Sequence, residues 1–83
     1  MRKVLVEVFV PAAGQTHDIF LPGHLVLGEA VKLVSKAAAD ISEGLFEGSE
    51  NTVMCLRGDG VILNMNLTVD ELKLQNGSRL MLV

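Results

Sequence analysis

The residues in this chain whose types could do chemistry are His17, Asp18 and His24, the single Cys55, and the run Arg57-Gly58-Asp59. Acid–base or metal chemistry needs several donors converging on one point. Two histidines seven residues apart with one neighbouring carboxylate are too few, so they are read as surface or core-edge residues. His17 shares an alternating face with Ile19 and Leu21, which places it at the rim of a core. Cys55 has no histidine partner and no helix N-terminus to activate its thiol, and it is read as a small strand residue. Arg57-Gly58-Asp59 spells an adhesion tripeptide, but Asp-Gly is also what a hairpin turn requires. The glycines at 44, 48, 58, 60 and 77 are scattered among turns and form no phosphate-binding loop at a helix start. The expectation is therefore a chain with no catalytic residue, no metal and no cofactor, and not an enzyme.

Composition narrows the remaining classes. Eighty-three residues make one domain, 1–83, close to the size at which a core alone supplies only a few kcal/mol of net stability. Ten acids against seven bases give a net charge of −3, which argues against nucleic acid or an anionic membrane as partner. One cysteine forms no internal disulfide, which fits a reducing compartment, the cytoplasm. Arg2 and Lys3 before an apolar run resemble a short secretory signal, but Glu7 interrupts the run, and no apolar stretch approaches the ~20 residues that span a bilayer. The chain is 49% hydrophobic with a mean hydropathy of +0.42, more apolar than one small core needs.

The elements follow from periodicity. Val4, Val6, Val8 and Val10 alternate along a strand from Lys3 to Val10, with Leu5, Glu7 and Phe9 on its other face. A turn over residues 11–15 leads to a second strand, Thr16 to Leu21, completing a hairpin that Pro22 and Gly23 end. Leu27, Ala30, Val31, Val34, Ala38 and Ile41 then recur at helical spacing, predicting a helix of ~24 Å over about 27–42. Gly44 stands where a left-handed C-cap is wanted, while no Ser, Thr, Asp or Asn closely precedes Leu27 to cap the start. After a loop from Leu45 to Asn51, Thr52 to Arg57 reads as a third strand and Val61 to Leu63 as a short fourth. Thr68 and Glu71 have capping-box spacing, which predicts one helical turn near 69–72, and Arg79 to Val83 reads as the last strand.

If the valines of the first strand face the helix, Leu5 and Phe9 lie on the outer sheet face, joined by Phe20. Val53, Cys55 and Arg57 point the same way, beside Met81 and Val83, while Met54 and Leu56 point inward. A sheet with one solvated face alternates apolar and polar residues cleanly, and this one does not. The expected result is a contiguous outer patch of several hundred Å², the size of an interaction site, unless the loop carrying Leu45 and Phe46 folds over it.

The order ββαββ, a mixed α+β sheet on one helix, resembles the ubiquitin-like β-grasp arrangement. Residues 63–83 are similar to the last third of ubiquitin, with Leu63, Val69, Leu74, Leu80 and Leu82 at that family's core positions and Gly60 at its hairpin glycine. The "DIFLP" second strand, the ending "LTVDELKLQNGSRLMLV" and the absence of a terminal Gly-Gly resemble the YukD/EsaB family, small cytoplasmic proteins encoded with the type VII (WXG100) secretion machinery of Gram-positive bacteria. That resemblance implies an accessory or regulatory protein that binds a secretion-machinery component and is not conjugated. The partner-binding face of ubiquitin corresponds to the outer face here, with Arg57 at the position of its central isoleucine and Met81 at its flanking histidine. Receptors shaped for ubiquitin would then meet an uncompensated guanidinium.

The expected protein-binding residues are therefore Leu5, Phe9, Phe20, Val53, Arg57 and Met81, on a protein without direct membrane insertion that is peripheral to the membrane through its partner. Homodimerisation through the same surplus is an open alternative. Other readings are a generic β-grasp interaction domain and a domain cut from a larger transporter subunit, against which Met1 and the full set of elements argue mildly. A sulfur carrier would need a flexible Gly-Gly end beyond Val83, and so requires this chain to be C-terminally truncated.

Overall fold

The computed structural model describes residues 2–83. Four strands and one helix follow in the order β1 (Lys3–Val10), β2 (Gln15–Pro22), α1 (Leu27–Ile41), β3 (Met54–Leu56) and β4 (Ser78–Leu82). The sheet order is β2-β1-β4-β3. β1 pairs antiparallel with β2 and parallel with β4, and β3 pairs antiparallel with β4, so the sheet is mixed, with β2 and β3 at its edges. The architecture is the expected α+β grasp.

Alternation in β1 is decisive. Val4, Val6, Val8 and Val10 are each 1% exposed or less, whereas Leu5, Glu7 and Phe9 are half-buried on the opposite face. The valines meet Leu27, Ala30, Val31, Val34 and Ala38 of α1, with Met54, Val69, Leu80 and Leu82 closing the same core. Ile41, the last residue of α1, departs from the expected stripe: it is 56% exposed and lines the hollow between α1 and β2 instead of entering the core.

The turn between β1 and β2 is closed by Ala13 N–H donating to Val10 and Gly14 N–H donating to Pro11, with Gly14 at φ 62°, a value that favours glycine. β2 runs one residue further than expected at each end, and Pro22 is accommodated because β2 is an edge strand.

α1 begins without a side-chain cap, at Val26. Its first amides are satisfied from afar: Leu27 N–H donates to the Leu67 carbonyl and Gly28 N–H to that of Met65, both at 2.8 Å. Backbone carbonyls thus replace the missing polar side chain. At the other end Glu43, not Gly44, is the first left-handed residue (φ 55°); its N–H reaches Asp40, and Gly44 N–H reaches Ala39. This is the Schellman pattern, set one residue earlier than the glycine suggests. The Ser42 hydroxyl then accepts from Phe46 N–H at 3.0 Å, so Phe46 turns into the core while Leu45 stays exposed. The loop packs on α1, with Gly48 against Ser35, and not over the outer sheet face.

Two further expectations need correction. Strand three is only Met54–Leu56, and Val61–Leu63 is not a strand but an isolated bridge, Ile62 opposite Cys55, held by Leu56 N–H to Val61 and Leu63 N–H to Met54. Val61 and Ile62 are more than half exposed, and with no core face to bury they gain little from extending the ladder. The capping box at Thr68 and Glu71 forms as expected: Thr68 N–H donates to Glu71 Oε1 at 3.0 Å and Glu71 N–H to Thr68 Oγ1 at 3.1 Å. A single hydrogen-bonded turn follows, ended by Lys73 at φ 58°. Among the described residues, no helix is long and apolar enough to cross a membrane.

Candidate protein-interaction face

Register across the sheet orders the outer face in rows. Leu5 lies beside Phe20. The next row runs Asp18, Glu7, Arg79, Arg57, and the one after it Thr16, Phe9, Met81, Cys55. Beyond these, Val53 and Val83 exchange both backbone hydrogen bonds, at 2.9 and 3.0 Å. All six residues expected to bind a partner reach this face, but not as one apolar patch. The charged row separates Leu5 and Phe20 from Phe9, Met81 and Val53.

Arg57 is the hinge of that arrangement. Its guanidinium carbon sits 4.3 Å from the Phe9 ring centre, and its Nη1 is 3.9 Å from Glu7 Oε2. Arg79 Nε approaches the same Glu7 oxygen at 3.3 Å. The guanidinium of Arg57 is therefore not uncompensated: a carboxylate and an aromatic face both stabilise it. Each contact is partly exposed and contributes about 1 kcal/mol or less, so the gain is in orientation rather than stability. Arg57 also shields part of the Phe9 ring, which is why Phe9 is half-buried while Phe20 is 64% exposed.

Cys55 departs from expectation. Its side chain is on the outer face but only 3% exposed, flanked by Met81 in register and by the bridged Ile62, with Sγ 3.6 Å from the Met81 carbonyl. It presents no thiol to a partner. His17 is half-buried at the core edge, with Nε2 3.3 Å from Gln15 Oε1, and His24 is exposed in the loop after β2. Among the described residues, no three His, Cys, Asp or Glu side chains gather as a metal-binding group.

Alternation along β1 alone does not single out Glu7 and Arg79. The signal that could have found them is the charge pattern itself, an acid in the central strand and two arginines in the strands that end up on one side of it. Two hollows flank α1. One, of about 570 Å³, lies between α1 and residues 48–52 and carries Lys32, Lys36, Ser49 and Glu50 at its lining. The other, of about 340 Å³, lies between α1 and the free edge of β2 and is mostly apolar.

No protein-family model and no curated protein matches the sequence, so the comparisons rest on solved structures. The chain is similar over its whole length to the EccD5 ubiquitin-like domain from Mycobacterium xenopi, with 22% identity, a TM-score of 0.76 and 94% of that chain covered. It is similar over its whole length to the ubiquitin-like domain of the Mycobacterium tuberculosis type VII secretion protein ECCD1, with 18% identity, a TM-score of 0.66 and 99% of that chain covered. A third likeness, at 20% identity and TM-score 0.74, spans all of this chain and 21% of a longer chain in an ESX-5 inner membrane complex. The fold is that of a ubiquitin-like β-grasp domain.

Proposed function

We propose that this chain is a non-enzymatic ubiquitin-like module that binds a component of a type VII (WXG100) secretion system in a Gram-positive bacterium, as a protein of the YukD/EsaB kind. In this reading it is cytoplasmic and reaches the membrane only through its partner. The docking surface is the half of the outer sheet face built from Phe9, Val53, Arg57 and Met81, with Leu5 and Phe20 contributing across the charged row. One observation carries the reading: Arg57 is held over Phe9 and beside Glu7, so a guanidinium and an aromatic ring are presented together in a fixed geometry. Arginine and aromatic residues dominate interface energetics, and prior ordering lowers the entropy lost on docking. The likeness to ubiquitin-like domains of mycobacterial secretion proteins supports the choice of partner class.

The test is recovery of partners from detergent-solubilised lysate of the encoding organism by tagged protein, wild type against Arg57→Glu. Secretion-machinery proteins should be recovered by wild type and lost with the variant. Recovery by both alike would remove the outer face from the reading, and recovery by neither would remove the partner.

A further inference from the structure

Among the described residues, Ser35 Oγ alone is a buried side-chain polar atom without a hydrogen-bond partner. Such a group is costly to leave unpaired. Ser35 belongs to the wall that α1 gives to the larger hollow, of about 570 Å³, opposite residues 48–52. A Cβ on Gly48 would stand 3.0 Å from Ser35 Cβ, so the loop approaches the helix this closely only with glycine there.

Both walls are anchored. Phe46 is buried in the core at one end of the loop, and at the other Val53 pairs with Val83. Between them Ser49 N–H donates to Thr52 Oγ1 at 2.8 Å and Thr52 N–H to the Ser49 carbonyl at 3.1 Å. Met65, whose carbonyl holds Gly28 N–H, contributes apolar lining together with Val31 and Ala39. The volume falls within the roughly 300–1,000 Å³ of small-molecule sites, which are likewise mostly apolar with a few polar groups.

Those polar groups are mainly donors. Lys32, Ser35 and Lys36 share one face of α1. Lys32 Nζ is 3.5 Å from Glu29 Oε1, whereas Lys36 has no ion-pair partner among the described residues, although Asp40 stands one turn further along. Across the hollow, Thr52 Oγ1 and Ser49 Oγ accept backbone N–H groups from Ser49 and Asn51, which leaves both hydroxyl protons for an outside acceptor. Glu50 is the one acid at the lining, so two lysines against one glutamate leave a single net positive charge. That balance suits a group with one negative charge. A phosphate monoester would bring about two.

We propose that the hollow between α1 and residues 48–52 binds a small carboxylic acid with an apolar body. Its carboxylate pairs with Lys36 and Lys32 and gives the Ser35 hydroxyl an acceptor, while its body covers Val31, Ala39 and Met65. The site lies on the helix side of the domain and does not depend on the Arg57 face.

The probe is 3-phenylpropionate, titrated into 15N-labelled protein and followed by NMR. Saturable shifts are expected at the amides of Lys32, Ser35, Lys36 and Ser49, and none at Phe20 or Arg57. The uncharged 3-phenylpropanamide should bind about fivefold more weakly, and Lys36→Gln should weaken the acid by a similar factor without moving the thermal midpoint of the free protein. Ser35→Ala should weaken the acid yet raise that midpoint, since it removes the unpaired hydroxyl and improves helix propensity. Arg57→Glu should leave the affinity unchanged. Four results would overturn the proposal: no saturable shift at those amides, equal binding of acid and amide, unchanged affinity in Lys36→Gln, or shifts with the peptide acetyl-Ala-Phe-Glu-Ala-amide and not with the free acid, which would make the occupant a protein segment.

Discussion

The Arg57 guanidinium lies over the Phe9 ring, 4.3 Å from its centre, although Phe9 is on β1 and Arg57 directly follows β3, with β4 between the two strands. The contact unites the charged row with the apolar row of the outer face. Because Arg57 is partly exposed, Arg57→Glu should change folding stability by no more than about 1 kcal/mol, measured by urea unfolding. Phe9→Glu should also leave the fold standing, since the ring is on the face away from the core. If Phe9→Glu unfolds the protein, the outer face is part of the folding core and the proposed docking site is wrong.

The reciprocal bonds of Thr68 and Glu71 hold the segment whose neighbouring carbonyl, Leu67, receives the first amide of α1. Thr68→Ala and Glu71→Ala are each expected to cost about 1 kcal/mol, with the double variant costing less than their sum because the two bonds form one motif. A double-mutant cycle by chemical denaturation reads the coupling. Additive losses would mean that the two bonds act independently.

Gly28 sits on α1 where a Cβ would come 3.1 Å from the Met65 carbonyl oxygen that already accepts Gly28 N–H. In an unhindered helix, replacing glycine by alanine stabilises by about 1 kcal/mol. Here the added methyl must push away the backbone that caps the helix, so Gly28→Ala is expected to lower the thermal midpoint. A rise would show that residues 65–67 yield without loss of the cap.

Glu43 adopts φ 55° at the end of α1, a left-handed conformation that costs an L-residue with a side chain about 1 kcal/mol. Glu43→Gly should therefore raise stability by roughly that amount despite the extra backbone freedom glycine brings to the unfolded chain. The same substitution at Asp40, inside the helix, should lower stability by a comparable amount. Opposite signs in the two thermal midpoints are the expected outcome.

Much of the fold was legible from local pattern. The four valines of β1, the helical spacing from Leu27 to Ala38 and the Thr68–Glu71 pair each encode which side of an element is apolar or how it begins, and those preferences act over a few residues. The membership of the outer face followed from the same alternation, so Leu5, Phe9, Phe20, Val53, Arg57 and Met81 could be placed there by parity alone. What parity does not encode is distance across the sheet. Glu7 meets Arg79 and Arg57 only because β4 lies parallel to β1 and brings β3 with it, and that juxtaposition divides the face and compensates the guanidinium. Cys55 is outward by parity yet buried by its neighbours, and Ile41 is on the apolar stripe yet exposed beside the hollow between α1 and β2. The sequence by itself determined β1, β2, α1 and the last strand and the inner faces of the two central valine and leucine runs, since these depend on contacts close along the chain. Only the tertiary structure decided which charges meet, which carbonyls cap α1 and which strand edge stays open, since each depends on groups that the chain brings together from far apart.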